Sequence, residues 1–389
     1  METASFTERC TGELVPISNP YRDFSFVPAP LPPSWSFPVR LWPMLGEAKQ
    51  LLGTLDGKGS TIPNPELLLR PLQRREALRS SSLEGTYASP EELLLFEMKP
   101  RLPTSSADRA NSWLEVFNYG RALSEGWLYL KERPLTIFLI RQLHSWLLQN
   151  VRGERAQPGE FRTAQVHIGA ERRFIPPPPE RVQECLDALM PHLAGTKSGF
   201  DPLVWCYLVH YQFEAIHPFM DGNGRVGRLL LALMTWLGCD LEMPWLYMSP
   251  FFERYKDEYI GKLFNVSADG QWEEWIRFCL VGTIEQARDA IRRCDLLNSL
   301  KEDMRRRVNT GSARLHQIVD SLFVDPMVTV PQLRDKLQVT YPTAKSDVKH
   351  LVNAGILAEG LATRPQVYFS PEIFRISYSD QEGRSDKEG

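Results

Sequence analysis

The sequence VWCYLVHYQFEAIHPFMDGNGRVGR, residues 204–228, places a short polar loop directly after a long apolar segment. The segments Trp205–Tyr211 and Leu229–Leu237 are apolar nearly all round, which is typical of buried helices at the centre of a domain. The loop between them contains DGNG, and its two glycines accept backbone angles that other residues resist. The pattern therefore predicts two central helices joined by a tight turn, with the second helix beginning near Gly224.

The composition of this loop predicts an anion-binding site. A helix N-terminus presents free backbone N–H groups and the positive end of the helix dipole to whatever lies in front of it. We expect the N–H groups of Gly222, Asn223 and Gly224 to be the donors. Arg225 and Arg228 add two positive charges that can hold a phosphate group in a forked geometry.

Two more side chains bring chemistry to the predicted anion site. The carboxylate of Asp221 can hold Mg²⁺ together with phosphate oxygens. The imidazole of His217 lies just outside the loop and can accept a proton from an attacking hydroxyl near neutral pH. Each feature alone is typical of an ordinary turn, helix end or solvated surface, but their combination in one short stretch favours a functional site.

The segment HPFMDGNGRVGR, residues 217–228, matches the motif H-x-F-x-D/E-G-N-G-R-x-x-R of the Fic family at every defined position. The chain therefore resembles a Fic protein, which implies a mainly α-helical bundle with a small β-hairpin flap. The resemblance also implies transfer of AMP from ATP to a protein hydroxyl, with Mg²⁺ and with release of pyrophosphate. The implied site residues are His217 as general base, Asp221 as Mg²⁺ ligand, the loop amides and Asn223 for the α- and β-phosphates, Arg225 for the phosphates, Arg228 for the γ-phosphate and Phe219 as the anchor of the loop.

The segment TAQVHIGAERRFIPPPP, residues 163–179, predicts a short hairpin inside the helical region. Gln165–Ile168 would lead out, Gly169 and Ala170 would form the turn, and Arg173–Ile175 would return. The hairpin resembles the Fic flap, at about 165–175, which aligns a target protein by adding it as a strand. Backbone pairing of that kind needs little sequence selectivity in the target.

The segment LYMSPFFERYKDEYIGKL, residues 246–263, resembles the part of Fic proteins that helps to form the adenine pocket. Tyr255 and Tyr259 are four residues apart, so we expect them to share a helix face. Either ring could stack on the adenine base or hydrogen bond to it. Packing of both rings in the core is an equally consistent interpretation.

The sequence SSSLEG, residues 80–85, ends a predicted helix and resembles an inhibitory element. Ser80 and Glu84 share one helix face, and Gly85 is suited to a helix C-cap. The segment matches S/T-x-x-x-E-G/N, the inhibitory motif of the Fic family. The resemblance implies that Glu84 pairs with Arg228 and so denies this guanidinium to the γ-phosphate, because carboxylate and phosphate compete for the same donors.

Composition bounds the class of protein. The chain has 389 residues, which suggests two or three folded units. A hydrophobic content of 43% argues against a largely disordered chain. The 45 basic and 48 acidic side chains give a net charge of -3, which disfavours a globally basic protein for nucleic acid or membrane surfaces. With no long apolar run, no secretory signal and only scattered cysteines, we expect a cytoplasmic protein with no membrane contact.

Changes in composition and apolar periodicity along the chain predict four regions. Residues 1–45 form a Pro- and aromatic-rich arm that we expect to be extended and packed on the following unit. Residues 46–300 form the catalytic unit, including the inhibitory helix at about 65–85. Residues 301–375 form a winged helix-turn-helix unit, and residues 376–389 form a disordered tail. The resemblance to Fic proteins that carry a winged-helix tail covers most of residues 12–370.

The C-terminal unit reads as three short helices followed by a two-stranded wing. Its candidate recognition helix is Tyr341–Asn353, in which Lys345 and Lys349 lie on one face. Residues 312–370 hold six Lys or Arg against five Asp or Glu, which is far from the basic surface of a strong DNA binder. DNA binding and protein contact therefore both stay open for this unit.

The resemblance to Fic proteins therefore implies a protein adenylyltransferase that modifies a Tyr, Ser or Thr hydroxyl of a target protein or of itself. Homodimer formation would fit such a protein. One alternative keeps the site but changes the reaction, to removal of AMP or transfer of phosphate, UMP or phosphocholine. The intact GNG and both arginines argue against the phosphate-transferring Doc-like branch. The other alternative is a transcriptional regulator whose helical unit only senses nucleotide.

Overall fold

A computed structural model describes residues 1, 3–20, 22–60, 65–151, 157–169, 172–193, 199–308, 312–360 and 363–379 of the chain. The described residues are mainly α-helical, as predicted, with one two-stranded and one three-stranded antiparallel sheet. The helices are α1 Trp42–Ser60, α2 Glu66–Leu83, α3 Pro90–Met98, α4 Ala110–Leu130, α5 Ile137–Leu147, α6 Pro179–Leu189, α7 Pro202–Ile216, α8 Asn223–Gly238, α9 Ser249–Arg254, α10 Lys256–Asp269, α11 Trp272–Arg307, α12 Ala313–Val324, α13 Val330–Leu337, α14 Tyr341–Asn353 and α15 Pro371–Tyr378. The strands are β1 Gly12–Ile17, β2 Asp23–Pro28, β3 Met327–Thr329, β4 Ala358–Glu359 and β5 Val367–Phe369.

The helices α7 and α8 lie at the centre of the helical unit, as predicted. Asp201 begins α7, because its carboxylate accepts the N–H of Leu203 at 3.0 Å and Pro202 follows at the first helical position. The helices α4, α5, α6, α10 and α11 pack around this pair. Because α7 and α8 are covered on every side, their sequences need no polar face. No helix in the described part of the chain is long and apolar enough to cross a membrane.

Helix α2 lies where the sequence predicted a helix, and it carries several buried charges. Arg74, Arg75 and Glu76 are all buried. The carboxylate of Glu76, 1% exposed, accepts the Tyr119 hydroxyl at 2.8 Å and the N–H of Ser249 at 3.0 Å. A buried carboxylate is tolerated only when its oxygens have hydrogen-bond donors. These contacts therefore fix α2 between α4 and the start of α9.

The end of α2 is a left-handed turn of the kind predicted at Gly85, which has φ +84°. The N–H of Gly85 donates to the Ser82 carbonyl at 2.9 Å, and the N–H of Thr86 donates to the Ser81 carbonyl at 3.0 Å. These two bonds form a Schellman motif, which needs a residue that accepts positive φ. The motif leaves Glu84 at the cap position, where its side chain reaches α8.

The N-terminal arm is more ordered than the predicted extended segment, because β1 and β2 form an antiparallel hairpin. A two-stranded sheet has two edges, so it tolerates the prolines that a central strand excludes. The N–H of Phe26 donates to the Ile175 carbonyl at 2.8 Å, and the Ser25 hydroxyl donates to the Pro176 carbonyl at 2.6 Å. The arm therefore packs on the end of the segment predicted to form the flap.

Two of the predicted boundaries are wrong. The expected division between residues 300 and 301 falls inside α11, which is one continuous helix. This helix packs against α1 and α7 of the central unit and against α12 and α15 of the C-terminal unit, so it belongs to both. The tail expected from residue 376 is helical up to Tyr378, because α15 was not predicted. Residues 380–389 lie outside the described residues.

The C-terminal unit contains the three predicted helices as α12, α13 and α14, and the two predicted wing strands as β4 and β5. A short strand that was not predicted, β3, completes a sheet with the order β3-β5-β4. The sequence encodes the start of α13 through a capping box, in which Thr329 and Gln332 bond to each other's backbone N–H. Thr340 caps α14 in a similar way through the N–H of Thr343.

Arg74 of α2 ties this C-terminal unit to the helical core. Its guanidinium donates to the Glu97 carboxylate, the Val324 carbonyl and the Asp325 carboxylate, each at 2.7 Å. Glu97 belongs to α3 and Val324 ends α12, so one buried side chain links three helices. Removing one partner of such a network is costly because it leaves the others without their donor.

We predict that Arg74→Ala lowers the free energy of unfolding by roughly 2–3 kcal/mol, somewhat less than for a fully buried ion pair because the two carboxylates are partly exposed. Arg70→Ala is the matched control on the same helix. The Arg70 side chain is 46% exposed and its ion-pair distances are 3.7 and 3.8 Å, so its loss should cost under about 1 kcal/mol. Urea unfolding midpoints of the two variants measure the difference, and equal shifts would contradict the role given to Arg74.

Candidate active site

The loop between α7 and α8 is held by two left-handed residues and one side chain. His217 ends α7 with φ +51° and ψ +61°, and Gly222 precedes α8 with φ +78°. The carboxamide of Asn223 accepts the N–H of Phe219 at 2.8 Å and donates to the carbonyl of Phe219 at 2.9 Å. The Asn223 side chain therefore closes the loop, which leaves its backbone N–H, rather than its amide group, for an anion.

A buried histidine, His144 of α5, supports this loop from below. Its Nδ1 accepts the N–H of Gly159 at 2.8 Å, so its Nε2 carries the hydrogen and donates to the Asp221 carbonyl at 3.0 Å. Its ring stacks on Phe219 with centroids 3.8 Å apart, and Phe161 packs on the same phenyl ring. Burial lowers the pKa of His144 to about 4, so the ring is neutral at pH 7. The predicted anchoring role of Phe219 agrees with this packing.

The predicted base, His217, is half-buried at the mouth of the loop. Its Nδ1 lies 3.4 Å from the Glu214 carbonyl, which favours the tautomer with hydrogen on Nδ1 and a free Nε2. Burial lowers the pKa of His217 to about 4, and the positive charge of Arg162 adds to the effect. The imidazole is therefore neutral near pH 7, in the state that accepts a proton.

Arg228 of α8 is buried and held by the end of α2. Its Nε donates to the Ser80 hydroxyl at 2.8 Å, and its Nη2 donates to the Ser80 carbonyl at 2.9 Å. Nη2 also donates to the Glu84 carboxylate at 2.8 Å. The Glu84–Arg228 pair implied by the inhibitory motif is thus present. Although burial opposes it, the charge of Arg228 keeps the pKa of Glu84 below its usual range.

The Glu84 carboxylate also covers the N-terminus of α8. A methyl group added at Gly224 would lie 2.3 Å from Glu84 Oε1 and 2.9 Å from Arg228 Nη1. Glu84 therefore stands directly over Gly224, where the free N–H groups of a helix attract an anion. The protein's own carboxylate therefore lies against the first turn of α8, next to the loop where the sequence predicts a phosphate.

The other predicted anion ligands have partners within the protein. Arg225 is buried, and its Nη1 donates to Glu115 of α4 at 2.8 Å. The N–H of Gly222 donates to the Asp221 carboxylate at 2.6 Å. The Asp221 side chain is 67% exposed and 3.8 Å from Arg225, so it faces solvent at the rim of the loop.

Asp221 fits the predicted Mg²⁺ in the way this ion usually binds. Within the described residues, no group of three or more His, Cys, Asp or Glu could form a metal cage. Mg²⁺ commonly binds one or two carboxylates together with substrate phosphates and keeps several waters. One exposed carboxylate beside an anion site is a donor set of that kind.

A cavity with an apolar floor opens beside His217, Glu84 and Arg228. Its floor is made of Ile168, Phe174, Tyr211, Tyr259, Ile260, Leu263 and Phe264. Tyr259 is buried, stacks on Phe252 with centroids 4.3 Å apart and hydrogen bonds to His210 at 2.9 Å. Tyr259, which was predicted for the adenine pocket, thus lines this cavity.

Tyr255 is not part of this cavity, so the structure does not bring the two tyrosines together. Tyr255 is 38% exposed and packs on Phe251 instead. The helical conformation is interrupted between α9 and α10 at Tyr255, which has ψ +41°. The two tyrosines therefore do not share one regular helix face, which the spacing alone could not reveal.

In the part of the predicted hairpin that the structure describes, one pair of residues is bridged. Ile168 and Phe174 exchange backbone hydrogen bonds of 2.8 and 3.2 Å, and Gly169 has φ +80° at the turn. Ala170, which was predicted to lie in the turn, is outside the described residues. Both bridged residues line the cavity, so the segment lies next to the site.

Four residues of this site were missed by the sequence analysis: His144, Arg162, Glu115 and Glu214. Each lies outside the motif at 217–228, and a single His, Arg or Glu has no spacing signal of its own. Glu214 illustrates the point, since burial raises its pKa to about 7. Its Oε1 packs so closely on α8 that a methyl group at Gly227 would lie 2.1 Å away.

The fold and the site define a helical protein in which a neutral imidazole lies beside a helix N-terminus that carries two arginines. Residues 42–128 match the family model described as Fic/DOC family N-terminal, and residues 134–235 match the Fic/DOC family model. The chain therefore contains a Fic/DOC N-terminal region followed by a Fic/DOC domain.

Curated relatives of the chain are named protein adenylyltransferases. The protein adenylyltransferase fic-1 of Caenorhabditis elegans is 38% identical over 155 residues, which cover 39% of this chain and 30% of that protein. A probable protein adenylyltransferase of Aquifex aeolicus is 31% identical over 167 residues, which cover 43% of this chain and 48% of that protein. The chain thus spans less than half the length of these relatives.

Solved Fic structures share the fold. A Fic family protein from Desulfovibrio desulfuricans matches with a TM-score of 0.55 and 18% identity, covering 91% of this chain and 100% of that one. Fic-1 from C. elegans matches with a TM-score of 0.51 and 23% identity, covering 65% and 74%. At these identities the likeness establishes the helical fold alone.

We predict that neutral His144 stabilises the protein in a pH-dependent way. Its pKa falls from 6.5 to about 4 on folding, so its contribution is complete above pH 6.5 and is lost as the pH drops toward 4, because the unfolded chain binds the proton first. The stability difference between wild type and His144→Phe should therefore be roughly 2 kcal/mol smaller at pH 5 than at pH 7.5. Denaturant midpoints at both pH values measure it, and a constant difference would refute the neutral buried state.

Proposed function

We propose that the protein is an adenylyltransferase that moves AMP from ATP to a hydroxyl group of a protein side chain. The observation that carries this proposal is the contact of Glu84 with both Arg228 and the N-terminus of α8. A site that holds its own carboxylate there is built for an anion, and the neutral His217 lies beside it. The curated relatives named protein adenylyltransferases support the proposal.

Different residues of the chain would accept the proton and neutralise the phosphate charge. The free Nε2 of His217 takes the proton of the attacking Tyr, Ser or Thr hydroxyl as its oxygen bonds to the α-phosphorus. The bond from the α-phosphorus to the bridging oxygen breaks, and pyrophosphate leaves. The N–H groups at the start of α8 and the Arg228 guanidinium neutralise phosphate charge, which is the main protein contribution in this chemistry.

Magnesium ion would be held by Asp221 together with phosphate oxygens of the nucleotide. When bound, it supplies positive charge and orients the phosphates. Arg225 is tied to Glu115, so its role is to add positive charge at the loop rather than to reach out to a distant phosphate. The adenosine part would lie on the apolar floor, against Tyr259 and Phe264.

The end of α2 acts as an inhibitory element in this proposal. The nucleotide's terminal phosphate and the Glu84 carboxylate need the same donors on Arg228 and the same space above Gly224. ATP would then bind with its phosphates displaced, and its α-phosphorus would not meet the attacking hydroxyl. Displacement of Glu84 restores the productive position.

The target protein would bind at the segment 165–175. Among the described residues of this segment, the backbone pairs internally at Ile168 and Phe174 alone. An extended peptide could add to the remaining edge through backbone hydrogen bonds. The chain's own hydroxyls are also candidate acceptors, so self-modification provides a readout that does not require the target.

We predict that Glu84→Gly raises incorporation of label from α-³²P-ATP into protein at least tenfold, because Arg228 and the N-terminus of α8 become free. The assay contains Mg²⁺ and cell lysate. Glu91→Gly, which removes an exposed glutamate of α3, is the matched control and should not change the rate. Adding His217→Ala to Glu84→Gly should abolish the gain.

The same assay distinguishes the alternatives. If Glu84→Gly incorporates no more label than Glu91→Gly, the inhibitory role is wrong. If labelled protein loses its AMP faster with the wild type than with Glu84→Gly, the site removes AMP and Glu84 takes part in that reaction. If no variant transfers or removes AMP, the proposed activity is wrong.

A nucleotide-sensing regulator is the second candidate, and one feature of α14 favours it. Asp347 is buried and paired with Arg314 at 2.6 Å, whereas Lys345 and Lys349 are exposed. The acidic side chain is thus withdrawn from the face that a recognition helix presents to the major groove. We interpret the C-terminal unit as a winged helix because α12, α13 and α14 are followed by the paired strands β4 and β5.

We predict that, if this candidate holds, Lys345→Glu with Lys349→Glu weakens binding to duplex DNA at least tenfold at low salt, because two phosphate contacts are lost. Electrophoretic mobility shifts at low and moderate salt measure the effect. Lys336→Glu on α13 is the control for a change of net charge. Equal weakening by the control, or no binding by the wild type, would reject the regulator.

A further inference from the structure

Arg162 is a buried guanidinium between the proposed base and the predicted flap. The residue is 2% exposed and lies on the segment that links α5 to α6. Its Nε donates to the His217 carbonyl at 2.8 Å, and its Nη2 donates to the Ile216 carbonyl at 3.4 Å. Its own backbone N–H donates to the Pro218 carbonyl at 2.9 Å. One residue therefore contacts three successive peptide units around the base.

These contacts address two difficulties at the end of α7. The last carbonyls of a helix have no partner within the helix, and they form the negative end of its dipole. A left-handed conformation is also unfavourable for a residue other than glycine, yet His217 has φ +51°. Arg162 supplies both the donors and the positive charge, so it stabilises the backbone from which the His217 imidazole projects.

The same guanidinium holds both ends of the predicted flap. Its Nη1 donates to the Ala164 carbonyl at 3.3 Å, where the segment leads out, and its Nη2 donates to the Pro177 carbonyl, where the segment has returned. Gln165 adds a bond from Nε2 to the Pro176 carbonyl at 2.9 Å. Any movement of the flap relative to His217 would break bonds to one side chain.

Arg162 makes these contacts without a counter-ion. The acceptors of these hydrogen bonds are all backbone carbonyls, and within the described residues Arg162 forms no ion pair with a carboxylate. Burial lowers its pKa to about 10, which still leaves it charged at pH 7. A fold seldom keeps an unpaired buried charge where packing alone would suffice, because desolvation is costly.

We propose that Arg162 is a positioning residue for the transfer reaction: it fixes the His217 imidazole and the flap in one register, so that base and acceptor hydroxyl are aligned together. This inference rests on the proposed adenylyltransferase function. The proposal assigns nucleotide affinity and hydroxyl alignment to different residues of the site. Nucleotide affinity depends on α8 and Arg228, whereas alignment of the hydroxyl with His217 depends on Arg162.

The charged surroundings of His217 determine what loss of Arg162 does to its titration. Arg162 lowers the pKa of His217, whereas Glu84 and Asp221 raise it. Glu214, Arg228, Lys256 and Arg173 line the same cavity, together with the hydroxyls of Tyr211 and Tyr259. Removing the Arg162 charge therefore moves the pKa of His217 upward from about 4.

The experiment uses the full chain with Glu84→Gly as the active background. Arg162→Gln removes the charge, and Arg162→Lys keeps the charge but loses the fork that reaches several carbonyls. Arg181→Gln is the control, since it removes an arginine near Pro177 whose partners are Glu184 and Glu13. The readouts are self-incorporation of label at saturating ATP, affinity for α,β-methylene-ATP by calorimetry, and the His217 titration by NMR.

We expect Arg162→Gln and Arg162→Lys each to lower the incorporation rate at least tenfold, while affinity for the ATP analogue changes less than twofold. The pKa of His217 should rise in Arg162→Gln and stay low in Arg162→Lys. Hydrogen exchange at 164–169 and 172–177 should become faster in both, and Arg181→Gln should match the background. If Arg162→Gln does not fold, the incorporation rate and ATP-analogue affinity of Arg162→Lys, which retains the buried charge, decide the test.

Other outcomes overturn the inference or the function separately. If the variants lose ATP-analogue affinity in proportion to rate, or if neither variant loses rate, Arg162 does not position the base. If the Glu84→Gly background itself incorporates no label, the proposed function fails. In that case the NMR titration and hydrogen exchange still decide whether Arg162 holds His217 and the flap, because unchanged values would reject it.

Discussion

The guanidinium of Arg228 is the charge on which the arrangement of the site depends. A buried guanidinium needs acceptors on several sides, since an unpaired buried charge is strongly destabilising. In this structure Ser80 and Glu84 provide those acceptors, so α2 docks on α8. A nucleotide phosphate meets the same requirement. In the proposed function, a correctly placed terminal phosphate would need the Arg228 donor that Glu84 occupies, so this phosphate and the Glu84 carboxylate would compete for it.

Helix α2 also makes polar contacts with elements far from Arg228. Glu76 binds α4 and α9, Arg74 binds α3 and the end of α12, and Lys256 donates to the Leu83 carbonyl at 2.7 Å. Polar contacts of this type have strict geometry, so a shift of one partner is felt by the helix as a whole. The C-terminal unit and the proposed inhibitory glutamate are therefore connected through one helix.

The chemistry lies where the apolar core ends. α7 and α8 are surrounded by other helices and form a rigid base, while the loop between them depends on side chains from other elements. His144 supports it from one side and Arg162 holds the carbonyls on the other. Both His144 and His217 are kept neutral, His144 mainly by burial and His217 by burial together with a neighbouring positive charge. The site thus combines a stiff scaffold with a loop whose electrostatics are set by distant parts of the chain.

Local features of the sequence were sufficient for much of the fold. The two central helices, the tight turn, the end of α2 at Gly85 and the helices of the C-terminal unit were all predictable, because propensity, capping and apolar periodicity act over a few residues. The division at residues 300 and 301 was wrong because α11 joins two units without any local break. The expected common face of Tyr255 and Tyr259 is absent because the helix is interrupted at Tyr255.

The sequence by itself determined which groups are present at the loop and which helices carry them, since both depend on near neighbours along the chain. Apart from the Glu84–Arg228 pair, which the resemblance implied, only the tertiary structure decided which buried polar groups meet. Arg228 and Ser80 are separated by 148 positions, and Arg162 and His217 by 55, so no spacing rule connects them. Their contacts arise because buried donors and acceptors must find partners wherever the packing of helices brings them, and that packing is a property of the whole chain.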